Sequence, residues 1–297
     1  MNITATRIAT KLRTWLLIAA LTGLLIAIGG VIGGGALYLF VAMAVGMNVV
    51  GYWFSDRIAL AASRARPVRP GEFPELDAMV ADLADRAEVP VPRLYLIPSD
   101  QPNAFATGRN PQHAAVAVTQ GLLHALPARE VKGVLAHEFG HIKNRDILVS
   151  TVAAMVAGAI SAIASILQFS MLFGGSSDDE DSPLGLIGTL ATIILAPIAA
   201  MLLQLAVSRQ REYLADATGA QLLGDAAPLA DALQTLDEDA QAMPMNVNPA
   251  TASLYAVNPL PRRGLATLFA THPPMAERIR RLRALDEHRG RDFALAA

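Results

Sequence analysis

The sequence contains no cysteine. That excludes disulfides, cysteine–zinc sites and a thiol nucleophile, and it leaves the redox compartment open. Any transition-metal site must be built from histidines and carboxylates. Charge is also scarce. Only 17% of the 297 residues are Asp, Glu, Lys or Arg, against about 25% in a typical soluble domain. The 24 basic and 26 acidic residues nearly cancel, so nucleic acid is not an expected partner. Intrinsic disorder is excluded, because 53% of the residues are hydrophobic.

The hydrophobic surplus sits in blocks. No charged residue lies between Arg13 and Asp56, about twice the roughly 20 residues one membrane helix needs. Gly29, Gly30, Gly33, Gly34 and Gly35 interrupt this block. The pattern predicts a helical hairpin, Thr14–Val31 and Ala36–Phe54. Two further uncharged runs lie between Asp146 and Asp178 and between Asp181 and Arg209. Each is long enough to span, or to be a buried core helix diluted by Gly, Ser and Thr. Arg7, Lys11 and Arg13 precede the first run, and Arg57, Arg64, Arg66 and Arg69 follow the hairpin. Lys143 and Arg145 precede the third run, and Arg209 and Arg211 follow the fourth. The turn between the last two carries Asp178, Asp179, Glu180 and Asp181 and no basic residue. All basic flanks therefore fall on one side, the cytoplasmic one. Trp15 and Tyr52–Trp53–Phe54 stand where interfacial aromatic anchors belong. A cleaved signal peptide is the rival for the first run. The second span would still return the chain to the cytoplasm.

This divides the chain into 1–54 (hairpin), 55–146, 147–208 (second helix pair) and 209–297. The two water-facing pieces, 55–146 and 209–297, form one domain. In the first, Pro74–Glu88 has helical spacing. Arg93–Ile97 and Ala114–Thr119 read as strands, with Asn103–Thr107 a third. Leu126–Arg145 reads as a helix with Val131, Val134, Leu135 and Ile142 on an apolar stripe. In the second, a helix runs through Arg209–Leu223 and stops at Gly224, and Pro274–Glu287 is a basic helix. Met243–Pro261, with four prolines, reads mostly as loop.

The chemistry lies in His137-Glu138-Phe139-Gly140-His141. Two histidines at i and i+4 project from one helix face and reach one zinc ion. Glu138 stands beside the first and is placed to take a proton from a metal-bound water. This is the H-E-x-x-H pattern of metalloproteases. The metzincin third ligand is excluded, since Asn144 and Ile147 occupy the positions it requires. Asp146 reads as a helix-end polar residue at the membrane. Glu212 is the best candidate for third ligand, and Asp216, one turn on, can accept the outer N–H of a ligand histidine. Glu212 and Asp216 can also be read as a solvated face paired with Arg209 and Arg211. Two spans separate the motif from Glu212, so both lie on one side of the membrane.

These features together resemble the HtpX group of membrane-bound zinc metalloproteases, relatives of the CAAX prenyl proteases. The resemblance rests on the N-terminal hairpin, Asn103-Ala104-Phe105-Ala106-Thr107-Gly108, His137–His141, the two later apolar segments, Glu212–Asp216, Asn248-Pro249-Ala250-Thr251 and Thr271-His272-Pro273-Pro274. It implies a mainly α membrane protein with a small α+β gluzincin-type domain. It further implies one zinc on His137, His141 and Glu212, with Glu138 as base, and a cytoplasm-facing site in the bacterial inner membrane. Its implied substrates are misfolded membrane proteins. Asn103, Ala104, Phe105 and Ala106 resemble the family's substrate-side strand, which would bind an extended peptide by strand addition; an ordinary loop strand is the alternative. His272 is placed either to donate to an oxyanion or to cap the following helix. Arg278 binds either a substrate carbonyl or the neighbourhood of Glu212.

The sequence thus points to a zinc endopeptidase. The competing reading is a membrane-anchored zinc-dependent binding or chaperone module, which has no need of Glu138. A metal transporter would place ionisable ligands within its spans, and these have none. A CAAX-type peptidase encloses its site among more helices than four. Oligomeric state is not readable.

Overall fold

The computed structural model of the chain describes residues 35–152, 209–242, 252, 254–258 and 273–296, with a few isolated positions before them. The expected span Thr14–Val31, the segment 153–208 with its acidic turn, and His272 lie outside the described residues.

Helix α1 runs Ala36–Ala62, eight residues beyond the second expected span. Leu37, Tyr38, Val41, Val45, Val49 and Val50 on it are exposed. Among the described residues no helix is long and apolar enough to cross a membrane.

Helix α2 (Pro74–Ala87) starts with proline in its first turn beside Glu75 and Asp77, and it ends on a left-handed Glu88. Acidic residues there complement the helix dipole. Its Leu76, Val80, Leu83, Ala84 and Ala87 are buried, the stripe that the 3.6-residue period demands. A four-stranded sheet is formed by β1 (Arg66–Pro67), β2 (Arg93–Ile97), β3 (Ala104–Thr107) and β4 (Ala115–Thr119). Its order is β1-β2-β4-β3, with β2 and β4 parallel and the other pairs antiparallel. The sheet therefore has β3 at one edge.

Strand alternation divides the core into two layers. Val116, Val118, Ala104 and Ala106 pack on one face, with α2 and the helices that follow. Ala115, Ala117, Phe105 and Ile97 pack on the other, with Ala59 and Leu60 of α1 and with Leu254 and Tyr255. A short helix α3 (Gln120–Ala125) leads from β4 to α4 (Ala128–Asn144). Helices α5 (Arg209–Leu223), α6 (Ala227–Ala242) and α7 (Met275–Ala296) complete the described architecture.

Helix α4 is the centre of the helical layer. It meets α5 backbone to backbone. A Cβ on Gly140 would lie 2.6 Å from the carbonyl oxygen of Ala215, and one on Gly219 would lie 3.0 Å from the amide of His137. Only glycine allows this approach, and the approach carries the residues of α5 to the histidines of α4.

Candidate active site

His137, Glu138 and His141 lie on α4, and Glu212 and Asp216 on α5. The two imidazoles meet edge to face with ring centroids 4.7 Å apart. Their Nε2 atoms are 3.2 Å apart. Glu212 faces both, with carboxylate oxygens 3.8 Å from His137 Nε2 and 3.6 Å from His141 Nε2. The three ligand atoms lie within 4.8 Å of one another.

Each histidine is held from behind. His137 Nδ1 is 2.9 Å from Asp216 Oδ1, and His141 Nδ1 is 3.0 Å from Asp146 Oδ1. A carboxylate on Nδ1 fixes the tautomer and turns the Nε2 lone pair toward the centre. Two nitrogen lone pairs and a carboxylate aimed at one point repel each other unless a cation lies between them. The electrostatics agree. Burial opposes a proton on His141, yet Asp146, Glu212 and Glu138 push its pKa up to about 10. Two imidazoles and one carboxylate are also the donor set of catalytic zinc sites. The residues fit the metal.

Arg278, on α7, closes the back of this layer. Its Nε and Nη2 donate to the two oxygens of Asp216, at 2.9 and 2.7 Å. Its Nη1 donates to the carbonyl of Ala256 at 3.1 Å, and its Nη2 lies 3.3 Å from both ring nitrogens of His137. Burial works against charge on Asp216, but Arg278 and His137 hold its pKa down at about 2. The guanidinium is itself wholly buried. Arg278 thus stands in the ion-pair layer behind the ligands, with its Nη1 also 3.9 Å from Glu212 Oε2.

Asp146 adds to the sequence reading. It stands at the helix end as the sequence implied, and it is also the partner of His141, a role the sequence did not show. The helix ends at Arg145, whose left-handed backbone (φ 60°) reverses the chain and brings Asp146 back over the last turn. A non-glycine residue in that conformation is not legible in a sequence, so Asp146 was missed.

Glu138 points the other way, toward the sheet. Its Oε2 accepts the N–H of Ala106 at 2.6 Å. Burial pushes the Glu138 carboxyl up, against the pull of His137, His141 and the Ala106 N–H. Ala106 thus touches the site through its main chain. Asn103, Ala104 and Phe105 are fully buried. The Asn103 amide turns inward and clamps Val257, donating from Nδ2 to its carbonyl at 2.8 Å and accepting its N–H at 3.3 Å. The Phe105 ring packs edge to face on Tyr255. Their side chains belong to the core, and what these residues offer outward is backbone.

Residues 70–286 match the family description "Peptidase family M48". The chain belongs to peptidase family M48. This M48 peptidase is 53% identical over 278 residues to a "Protease HtpX homolog" of Pelotomaculum thermopropionicum, covering 93% of the chain and 99% of that relative. It is 49% identical over 275 residues to another so named, from Aquifex aeolicus, covering 91% of each. Among solved structures it resembles Ste24p of S. mikatae, with a TM-score of 0.51 and 22% identity, over 94% of this chain and 66% of that one. That likeness concerns the fold. As an M48 peptidase the protein is a zinc metalloprotease, and His137, His141 and Glu212 are the residues positioned for the ion.

Proposed function

We propose that this M48 peptidase is a membrane-anchored endopeptidase that removes misfolded or damaged membrane proteins, with Glu138 as its general base. The observation that carries this reading is the position of Glu138. Its carboxylate stands between the metal ligands and the main chain of the edge strand β3. A binding module has no use for an ionisable group there.

When bound, zinc acidifies a water molecule and polarises the scissile carbonyl. The Glu138 carboxylate would accept the water's proton and return it to the leaving amine. Its raised affinity for protons, caused by burial, suits a group that must hold one between the two steps. Asp216 and Asp146 hold the Nδ1 atoms of His137 and His141 and so aim their Nε2 atoms at the ligand position. Arg278 anchors Asp216.

Support for the membrane comes from the uncharged runs and the exposed apolar side chains of α1, Trp53, Phe54 and Ile58 among them. We read four spans with the site on the basic, cytoplasmic side of a bacterial inner membrane. The hairpin is 1–54 and the second pair 147–208, and 55–146 with 209–297 form the protease domain. His272 is assigned the oxyanion contact. The cysteine-free chain allows this topology to be mapped by alkylating single introduced cysteines.

The test of the mechanism is Glu138→Gln. Protein purified in detergent is stripped of metal, reloaded with zinc and given an unfolded polypeptide. Both proteins should retain one zinc, and the variant should lose about 10²–10⁴-fold in turnover. Equal cleavage by the two proteins would remove Glu138 from the chemistry. Zinc retention with no cleavage by either would favour the chaperone-like module.

A further inference from the structure

The outer edge of β3 is already occupied. Asn103 directs its carbonyl to Thr119 on β4, so by alternation Ala104 and Ala106 present their main-chain groups away from β4. The Ala104 carbonyl accepts the N–H of Ala256 at 2.9 Å. The Ala106 N–H is held by Glu138. Residues 254–257 therefore lie where a visiting strand would lie. Ala256 has both its main-chain groups engaged, its N–H by β3 and its carbonyl by the buried Arg278. Val257 has both engaged by Asn103. Tyr255 is pinned on Phe105, with ring centroids 5.1 Å apart, and its hydroxyl donates to Ser63 at the end of α1.

The space left beside Glu138 is small. The cavity bordered by His137, Glu138, Glu212, Leu254, Tyr255 and Ala256 holds about 20 Å³. That is about the room of a single water molecule, and a polypeptide main chain does not fit. Peptide hydrolysis at Glu138 needs more space than this arrangement provides.

We propose that residues 254–257 are an internal strap, occupying the peptide-binding edge of β3 and holding the protease closed until an extended substrate displaces it. The proposal rests on the endopeptidase reading above. The strap is held by one main-chain hydrogen bond from Ala256 to Ala104, by the Asn103 and Arg278 side chains on its other main-chain groups, and by burial of Leu254, Tyr255, Ala256 and Val257. The hydrogen-bonding groups are ones that the main chain of an incoming strand can engage in its place. Displacement uncovers these buried side chains, so the strap stays in place without substrate and leaves only when the incoming chain supplies both hydrogen bonds and apolar contacts. A short or compact ligand cannot replace the set, so the device selects for extended polypeptide.

The test is Val257→Cys in the otherwise cysteine-free full-length chain, with Glu138→Gln to prevent turnover, zinc-loaded in detergent. Val257 is 2% exposed, so maleimide reacts with the introduced thiol only when the strap leaves. Alkylation is timed with and without an unfolded, carboxymethylated polypeptide. The strap predicts that polypeptide accelerates labelling about fivefold or more, the population shift that one net hydrogen bond is worth. Labelling that is unchanged or slowed would overturn the strap, whether or not the wild type cleaves. Accelerated labelling beside a zinc-loaded wild type that cleaves nothing would leave the strap standing and remove the endopeptidase reading. If Val257→Cys does not fold, Leu254→Cys, 7% exposed on the same segment, gives the same readout.

Discussion

The two walls of the site are built by opposite rules. On the helical wall, α4 and α5 touch through glycine, and four acidic groups, the His137 imidazole and one guanidinium interlock out of water, with the half-buried His141 beside them. On the strand wall, the main-chain groups of residues 256 and 257 are held by Ala104, Asn103 and Arg278, beside one aromatic pair. The first arrangement is specific to its atoms, because a buried charge that loses its partner is heavily penalised. The second is generic, because any extended chain offers the same donors and acceptors. The metal is held by a wall that cannot vary, and the peptide meets a wall that can exchange partners.

This contrast breaks most sharply at Arg278. Arg278→Met leaves the Asp216 carboxylate buried with His137 alone, and the expected loss is about 3–5 kcal/mol in unfolding free energy, read by chemical denaturation. A loss below about 1 kcal/mol would mean that water reaches this layer and that the helical wall is softer than its burial implies. Asp146→Ala should be milder. It frees His141 Nδ1 and should weaken zinc binding about 10–100-fold, measured by competition with a chelator, while the fold persists. Unchanged affinity would show that α4 alone aims the ring.

On the strand wall the effect should be smallest and of opposite sign. Tyr255→Phe removes only the hydroxyl held by Ser63. Stability should move by less than about 1.5 kcal/mol, and cleavage of unfolded polypeptide should rise, up to about fivefold. A fall in cleavage with stability unchanged would make this segment a substrate wall instead of a strap.

The parts legible in the sequence follow from local periodicity. The spacing of His137 and His141, the strand alternation in 93–97 and 115–119, and the apolar stripe of α4 each carry their own evidence within one element. Glu212 and Asp216 were reachable because they stand one turn apart just past an uncharged run. Residues that act through long-range geometry were not legible. Asp146 depends on a left-handed Arg145, and Arg278 depends on how α7 approaches α5. Asn103 to Ala106 resemble a substrate-side strand that reads backbone, and that the side chains of Asn103 and Phe105 are buried depends on partners as distant in sequence as Val257 and Tyr255. The helix α6 also went unpredicted. It begins at Ala227, and its buried Leu229, Leu233, Leu236 and Ala240 fall at helical spacing.

The distance in sequence between the walls' components sets a timetable for synthesis. At about 5–20 residues per second, α5 emerges roughly 4–14 seconds after the histidines it must embrace, and Arg278 follows after a similar interval. Until then His137 and His141 have neither Glu212 nor Asp216, and the glycine face of α4 has nothing to close against. A nascent chain that has already displayed its H-E-x-x-H helix therefore carries no assembled centre, and it cannot cut the other unfolded chains that emerge beside it.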